Sequence, residues 1–191
     1  MKLLLSVITA LVLIGCAGKA PPDLQLYLLR SDSSNQFNAA DTAKIGLGSL
    51  RVASYIDQPG LVLETADGSM HPARYNQWAE PLRESLRLVI ASDIADAIGQ
   101  PVRPRVYGET NWKLYTDRMV DITIERMHGT AQGDALLVAY WAVIDPGARN
   151  IISEHQFSRS APLAASGYPA LVAAHKELLN SLAGAIGESL H

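Results

Sequence analysis

The groups in this 191-residue chain that could do chemistry are five histidines, one cysteine and a scatter of serines and aspartates. His71, His128, His155, His175 and His191 show no metal-ligand spacing such as H-E-x-x-H, and one cysteine cannot supply a thiolate set for zinc. No G-x-S-x-G turn presents a serine nucleophile. Ser69 and His71 in "DGSMH" could act as nucleophile and base, but alternate residues on a hairpin strand more often face water as plain surface polars. "GLGSL" lacks the glycine pattern of a phosphate loop, and no helical pattern follows it. Asp93 and Asp96 read as the solvated face of a helix, and His175 as a partly buried or rim histidine. Arg103 and Arg105 flank a proline on an edge strand, where charge blunts aggregation or meets an anionic lipid or partner. No catalytic or metal constellation assembles from these residues, so the chain reads as a non-enzyme without a cofactor.

Cys16 has a context of its own. A lone thiol cannot form an internal disulfide. Before it stand the positive end Met1-Lys2, an apolar run from Leu3 to Ile14 broken only by Ser6 and Thr9, and the small residue Gly15. That is the layout of a secretory signal, and it is too short to span a bilayer, which takes about 20 apolar residues. The last four positions, Leu13-Ile14-Gly15-Cys16, resemble the bacterial lipobox. That resemblance implies cleavage after Gly15, a diacylglycerol thioether on Cys16 and acylation of the new amino terminus. Three acyl chains exceed what stable anchoring needs. The alternative is an ordinary secreted protein with a buried cysteine. The expected division is a signal over 1–15, a lipidated tether over 16–23 and one domain over 24–191.

A formal charge of −3 argues against general nucleic-acid affinity. Neither repeats nor low-complexity segments interrupt the chain. With no cysteine pair, the fold must stand on its apolar core, which is feasible at this length. Between Cys16 and Leu24 lie seven residues, "AGKAPPD", reaching about 25 Å when fully extended. Pro21-Pro22 stiffens part of that reach, so the domain stays close to its membrane.

The elements that must position any site read as mixed α and β. Strand patterns cover Leu24 to Leu29, Lys44 to Ser54 and Leu61 to Glu64, with a polar loop from Arg30 to Ala43. "ADGS" reads as a hairpin turn, because Asp-Gly tolerates positive φ. In "NQWAEPLRESLRLVIASDIADAIGQP", Leu82, Leu86, Val89, Ile90, Ile94, Ala97 and Ile98 share one helical face. Asn76 reads as its N-cap, Pro81 as a first-turn residue and Gly99 as its stop. "PVRPRVY" suits a sheet edge, and "RMVDITIERM" alternates as a half-exposed strand. "ALLVAYWAVI" is apolar on both faces and reads as the sheet centre. "IISEHQFSRS" follows the turn "DPGARN". A second helix spans Pro169 to Ser189, burying Leu171, Ala174, Leu178, Leu182, Ala185 and Ile186. The order implies a single-domain α/β fold: a mixed sheet with two main amphipathic helices, a helical crossover first and an antiparallel meander after.

Two stretches stand apart: "YIDQPGLV" (Tyr55 to Val62) and "RYNQWAEPL" (Arg74 to Leu82). Trp78 can simply anchor a helix start on the sheet, Glu80 can complement the helix dipole, and Pro59-Gly60 can be only a turn. Taken with the lipobox and the C-terminal amphipathic helix, however, these stretches resemble the ABC-type transport auxiliary lipoproteins of the PqiC or YmbA type. The resemblance runs through nearly the whole mature chain, and "WAEPL" is its most specific piece. It departs at Ala53-Ser54, where the family often has a proline, and at Met127, where an aromatic residue is usual.

The resemblance implies a fold similar to the TolB N-terminal domain. It also implies a role beside Mce-type (mammalian cell entry) systems, which move lipids or other apolar molecules between membranes and maintain membrane integrity. The implied partners are a periplasmic Mce-domain protein with its inner-membrane permease and ATPase, met by repeated copies of the lipoprotein as a homo-oligomer. Ala17 after the lipidated cysteine favours the outer membrane. Tyr55, Asp57, Pro59, Trp78, Glu80 and Pro81 are the motif positions expected to form either a core corner or a partner-facing rim. Two other readings stand beside this one: a lipid-binding periplasmic carrier and a lipid-anchored hydrolase.

Overall fold

A computed structural model describes residues 22–33, 43–104 and 116–190. Its elements are β1 (Gln25–Tyr27), β2 (Ile45–Val52), β3 (Gly60–Glu64), β4 (Met70–Trp78), α1 (Leu82–Ile98), β5 (Val102–Pro104), β6 (Arg118–Gly129), β7 (Asp134–Asp145), β8 (Asn150–Pro162) and α2 (Tyr168–Glu188). The expected signal, Cys16, most of the expected tether, Arg105 and His191 lie outside the described residues.

Strand β6 organises the sheet. One of its edges takes β2 in parallel from Ile45–Arg118 to Val52–Ile124, and farther along takes β3 through the pair Leu63–Gly129. Its other edge takes β7 antiparallel, and β7 takes β8. Beyond β2 lies β5 in parallel; beyond β3 lie β4 antiparallel and then β1 parallel to β4. The sheet is therefore mixed, with the expected helical crossover leading into the expected β6–β7–β8 meander.

Alternation explains the burial. Val120, Ile122 and Ile124 of β6 are essentially sealed, while Asp121 and Thr123 between them are half-buried. Helix α1 packs on β2 and β5, α2 packs on β7 and β8, and the helices pack on each other. The core joins Leu47, Ile122, Ile124 and Leu137 from strands to Leu86, Ile90, Leu179 and Leu182 from helices. At the β3–β4 turn, Gly68 sits at φ 81°, and Thr65 N–H donates to Ser69 O at 2.9 Å. Gly99 at φ 66° ends α1.

Three expectations are corrected. First, Asn76 is not a helix cap: β4 continues through Trp78, and Pro81 occupies the cap position with φ −53° and ψ 120°. Pairing on both sides, to β3 and β1, holds this stretch extended, and a residue preceding proline, here Glu80, is pushed away from helical geometry. Second, β7 lies between two strands but is sealed on one face only. Its Tyr140 is exposed and its Leu136, Ala142 and Ile144 are half-buried, because the helices cover the opposite face. Third, on α1 Ala97 is exposed, whereas Asp93 is buried at 6% exposure. The polar loop after β1 folds over Asp93, and Ser31 Oγ donates a hydrogen bond to its carboxylate.

Candidate functional site

The loop between β2 and β3 starts with a tight turn. Ile56 N–H and Asp57 N–H both reach Ala53 O, at 3.0 and 3.1 Å, and drive the Ile56 side chain into the core at 1% exposure. The chain then passes Pro59, whose carbonyl accepts the Trp78 N–H at 2.7 Å. Gly60 pairs with Gln77, and a bulge follows before Val62 pairs with Pro72. No larger residue fits at position 60, since a Cβ there would stand 2.5 Å from the Ala73 carbonyl oxygen. On the other side of β4, Ala79 N–H donates to Tyr27 O at 2.8 Å and the Tyr27 hydroxyl donates to Asn76 Oδ1 at 2.9 Å. Pro81 O then accepts from Glu84 and Ser85 N–H, starting α1. From the first turn of that helix, Arg83 pairs with the Asp57 carboxylate.

The six motif residues thus meet at one corner of the domain, and the corner divides in two. Trp78, at 8% exposure, belongs to the core together with Ile56, Leu61 and Leu82. Pro59, Ala79, Glu80 and Pro81 are exposed, and Asp57 is half-buried under Arg83. Tyr55 bridges the halves: it is half-buried, its ring meets His128 edge-on at 6.0 Å, and burial raises its hydroxyl pKa.

Sequence reasoning missed the neighbours of that tyrosine. His128 and His175 are 1% and 2% exposed. His128 Nδ1–H donates to Gly129 O at 3.2 Å, while its Nε2 and both ring nitrogens of His175 have no hydrogen-bond partner among the described residues. Burial holds His175 down to about 4, which the adjoining His128 backbone only partly offsets. His175 lies between Leu171 and Leu178 on the buried stripe of α2, so the i, i+4 pattern was the available signal for its full burial. Asp93 has the opposite displacement: burial raises its carboxyl above the usual value, although the Ser31 hydroxyl opposes this.

The remaining sequence candidates lie apart from this corner. Ser69 closes the β3–β4 turn and His71 follows it, exposed, on β4. His155 stacks on Trp141 at 5.0 Å; the two pair across β7 and β8 on the helix-facing side, where Trp141 Nε1–H donates to Ser189 Oγ at 3.0 Å at the end of α2. No group of three or more His, Cys, Asp or Glu is arranged to hold a metal among the described residues. No described helix is long and apolar enough to cross a membrane. An open apolar cleft of about 550 Å³ lies at the start of α2, lined by Leu63, Gly129, Leu163, Tyr168 and Leu171.

These features define a single-domain α/β protein with a mixed sheet, two helices on one face and a motif-bearing corner. The chain belongs to the ABC-type transport auxiliary lipoprotein components, the family that matches residues 27–187. The fold recurs in the crystal structure of an uncharacterized protein, with TM-score 0.72, 19% identity, and coverage of 89% of this chain and 100% of that one. A protein of the DUF330 family from Xanthomonas campestris is also similar, with TM-score 0.66, 15% identity, and coverage of 85% and 92%. At these identities the likeness concerns the fold. Comparison with curated proteins finds no match.

Proposed function

We propose that this protein is the outer-membrane accessory of an Mce-type ABC transport system, held on the periplasmic face by three acyl chains on Cys16 and acting by contact. The observation that supports it best is the corner itself. The family motif is pinned together by the Trp78 N–H to Pro59 O bond and the Arg83–Asp57 pair, yet it leaves Pro59, Glu80 and Pro81 exposed. A buried anchor beneath a rigid exposed rim suits recognition of a protein surface. The short tether agrees with this role, because a domain confined to one membrane needs a long partner to reach the other. Several copies around the tip of a periplasmic Mce-domain protein would match the symmetry of a ring.

The test is affinity purification of the tagged, lipidated protein from cross-linked envelopes, with mass spectrometry of what accompanies it. Recovery of an Mce-domain protein with its permease supports the accessory role. Recovery of the lipoprotein alone opposes it. The cleft beside Tyr168 and Leu171 favours a second reading, a carrier of a single apolar chain. That reading predicts bound lipid in the native mass spectrum of the de-acylated chain.

A further inference from the structure

Among the described residues, strand β1 is an edge of the sheet and the first element. Its parallel register sets Leu26 beside Gln77 and Tyr27 beside Trp78. The period of two that sends Tyr27 and Trp78 toward the core sends Leu26 outward. Leu24, two residues earlier, lies on the same side, as Tyr75 does relative to Gln77. Leu24 is 53% exposed and Leu26 59% exposed, so one leucine on the three-residue edge strand and another just before it stand in water. Nearby, the Arg74 guanidinium lies 5.5 Å from the centre of the Tyr75 ring. Apolar side chains beside an amphipathic ring and an arginine are the mix that enters the headgroup and acyl boundary of a bilayer.

The position of the patch names its occupant. Only seven residues separate Leu24 from Cys16, a reach of about 25 Å at full extension and less in practice. Leu24 is therefore the described apolar residue nearest in sequence to the anchored cysteine, and any slack in the tether brings it closer still. We propose that the outer face of β1 and the end of β4, with Leu24, Leu26, Tyr75 and Arg74, is a membrane-contact surface. The leucines enter the interface, Arg74 meets lipid phosphates, and the domain is fixed in one orientation. This rests on the reading of Cys16 as lipidated.

The experiment uses the full-length lipidated protein carrying Leu26→Cys, labelled with an environment-sensitive fluorophore and reconstituted into phosphatidylethanolamine–phosphatidylglycerol vesicles containing spin-labelled lipid. Because acylation consumes Cys16, position 26 then holds the sole free thiol. Leu88→Cys, replacing an equally exposed leucine on α1, serves as the control, and unchanged melting of both variants verifies folding. Blue-shifted emission with strong quenching at position 26, and water-like emission at 88, is the expected result. Co-flotation with vesicles but water-like emission at 26 overturns the membrane-contact surface while leaving the anchor intact. A Cys16 of unmodified mass, with no flotation, removes the anchor, and the proposal falls with it.

Discussion

Arg83, in the first turn of α1, pairs with Asp57 in the loop after β2, twenty-six residues earlier. With the Trp78 N–H to Pro59 O bond at 2.7 Å, it ties the two motif stretches into one unit. The two ties differ in depth. The backbone bond lies next to a buried tryptophan, whereas the ion pair is 43% and 23% exposed at its two ends. Water screens much of the charge attraction there.

That difference separates two substitutions. Trp78→Ala empties a large buried volume and should lower stability by about 3–5 kcal/mol. Arg83→Ala removes a partly exposed pair, and its cost should stay within about 1 kcal/mol. Urea unfolding at neutral pH measures both. Equal losses would contradict the division of the corner into anchor and rim.

Gly60→Ala should destabilise the domain by about 1–3 kcal/mol, as overpacking does. The atoms that a new Cβ meets belong to the Ala73 backbone, which cannot rotate aside. The same substitution at Gly184, where a Cβ meets nothing, should be neutral or slightly stabilising, since alanine is the better helix former. Thermal melts of the two variants make the comparison.

Glu80 is exposed at the rim, and its contact with Ser85 Oγ is long, at 3.4 Å. Glu80→Arg should change stability by no more than about 0.5 kcal/mol, as at most surface sites. If the rim meets the partner, the same variant should lose the Mce-domain protein from cross-linked envelopes. Retention of that partner at normal yield would move the contact elsewhere on the domain.

Acid should weaken the fold through His175. Its ordinary pKa is 6.5 and the folded value is about 4. Between those values the unfolded chain holds a proton that the folded chain refuses, so stability falls as pH drops from 6.5 toward 4. The full effect is about 3 kcal/mol, and His175→Leu should flatten the stability profile across that window. Asp93 works with the opposite sign, because its folded pKa is raised. Its contribution is present in acid and lost as pH rises through the folded value, so Asp93→Asn should gain stability at neutral pH and lose that gain in acid.

The strands other than β4, both helices and the Gly99 stop were legible because each has a local cause: alternation, a three-and-four spacing, or a residue free to take positive φ. The start of α1 was not. "MHPARYNQW" carries no apolar alternation, and its extended form is fixed by neighbours on both sides that only the folded chain supplies. Asp93 looked solvated because the loop that covers it lies sixty-two residues away in sequence. The same distance effect hid the His128–His175 neighbourhood, which joins a strand to a helix forty-seven positions later. The motif corner was visible only as two separate phrases, and the hydrogen bond that joins them had no signature in either.

The placement of β1 also decides how the domain carries load. If Cys16 is held in a bilayer and a partner pulls the body away, tension enters the fold through Leu24. Among the described residues, three register pairs to β4 on one side, with the Tyr27 hydroxyl bond to Asn76 and the Ala79 N–H bond to Tyr27 O, are what resist it. A pull along the strand shears all three rungs together, whereas a pull across it peels them singly. Peeling would lengthen the tether by the residues of β1 while leaving β6 and the helices untouched. If Cys16 is the anchor, β1 would thus act as a mechanical fuse between it and the body.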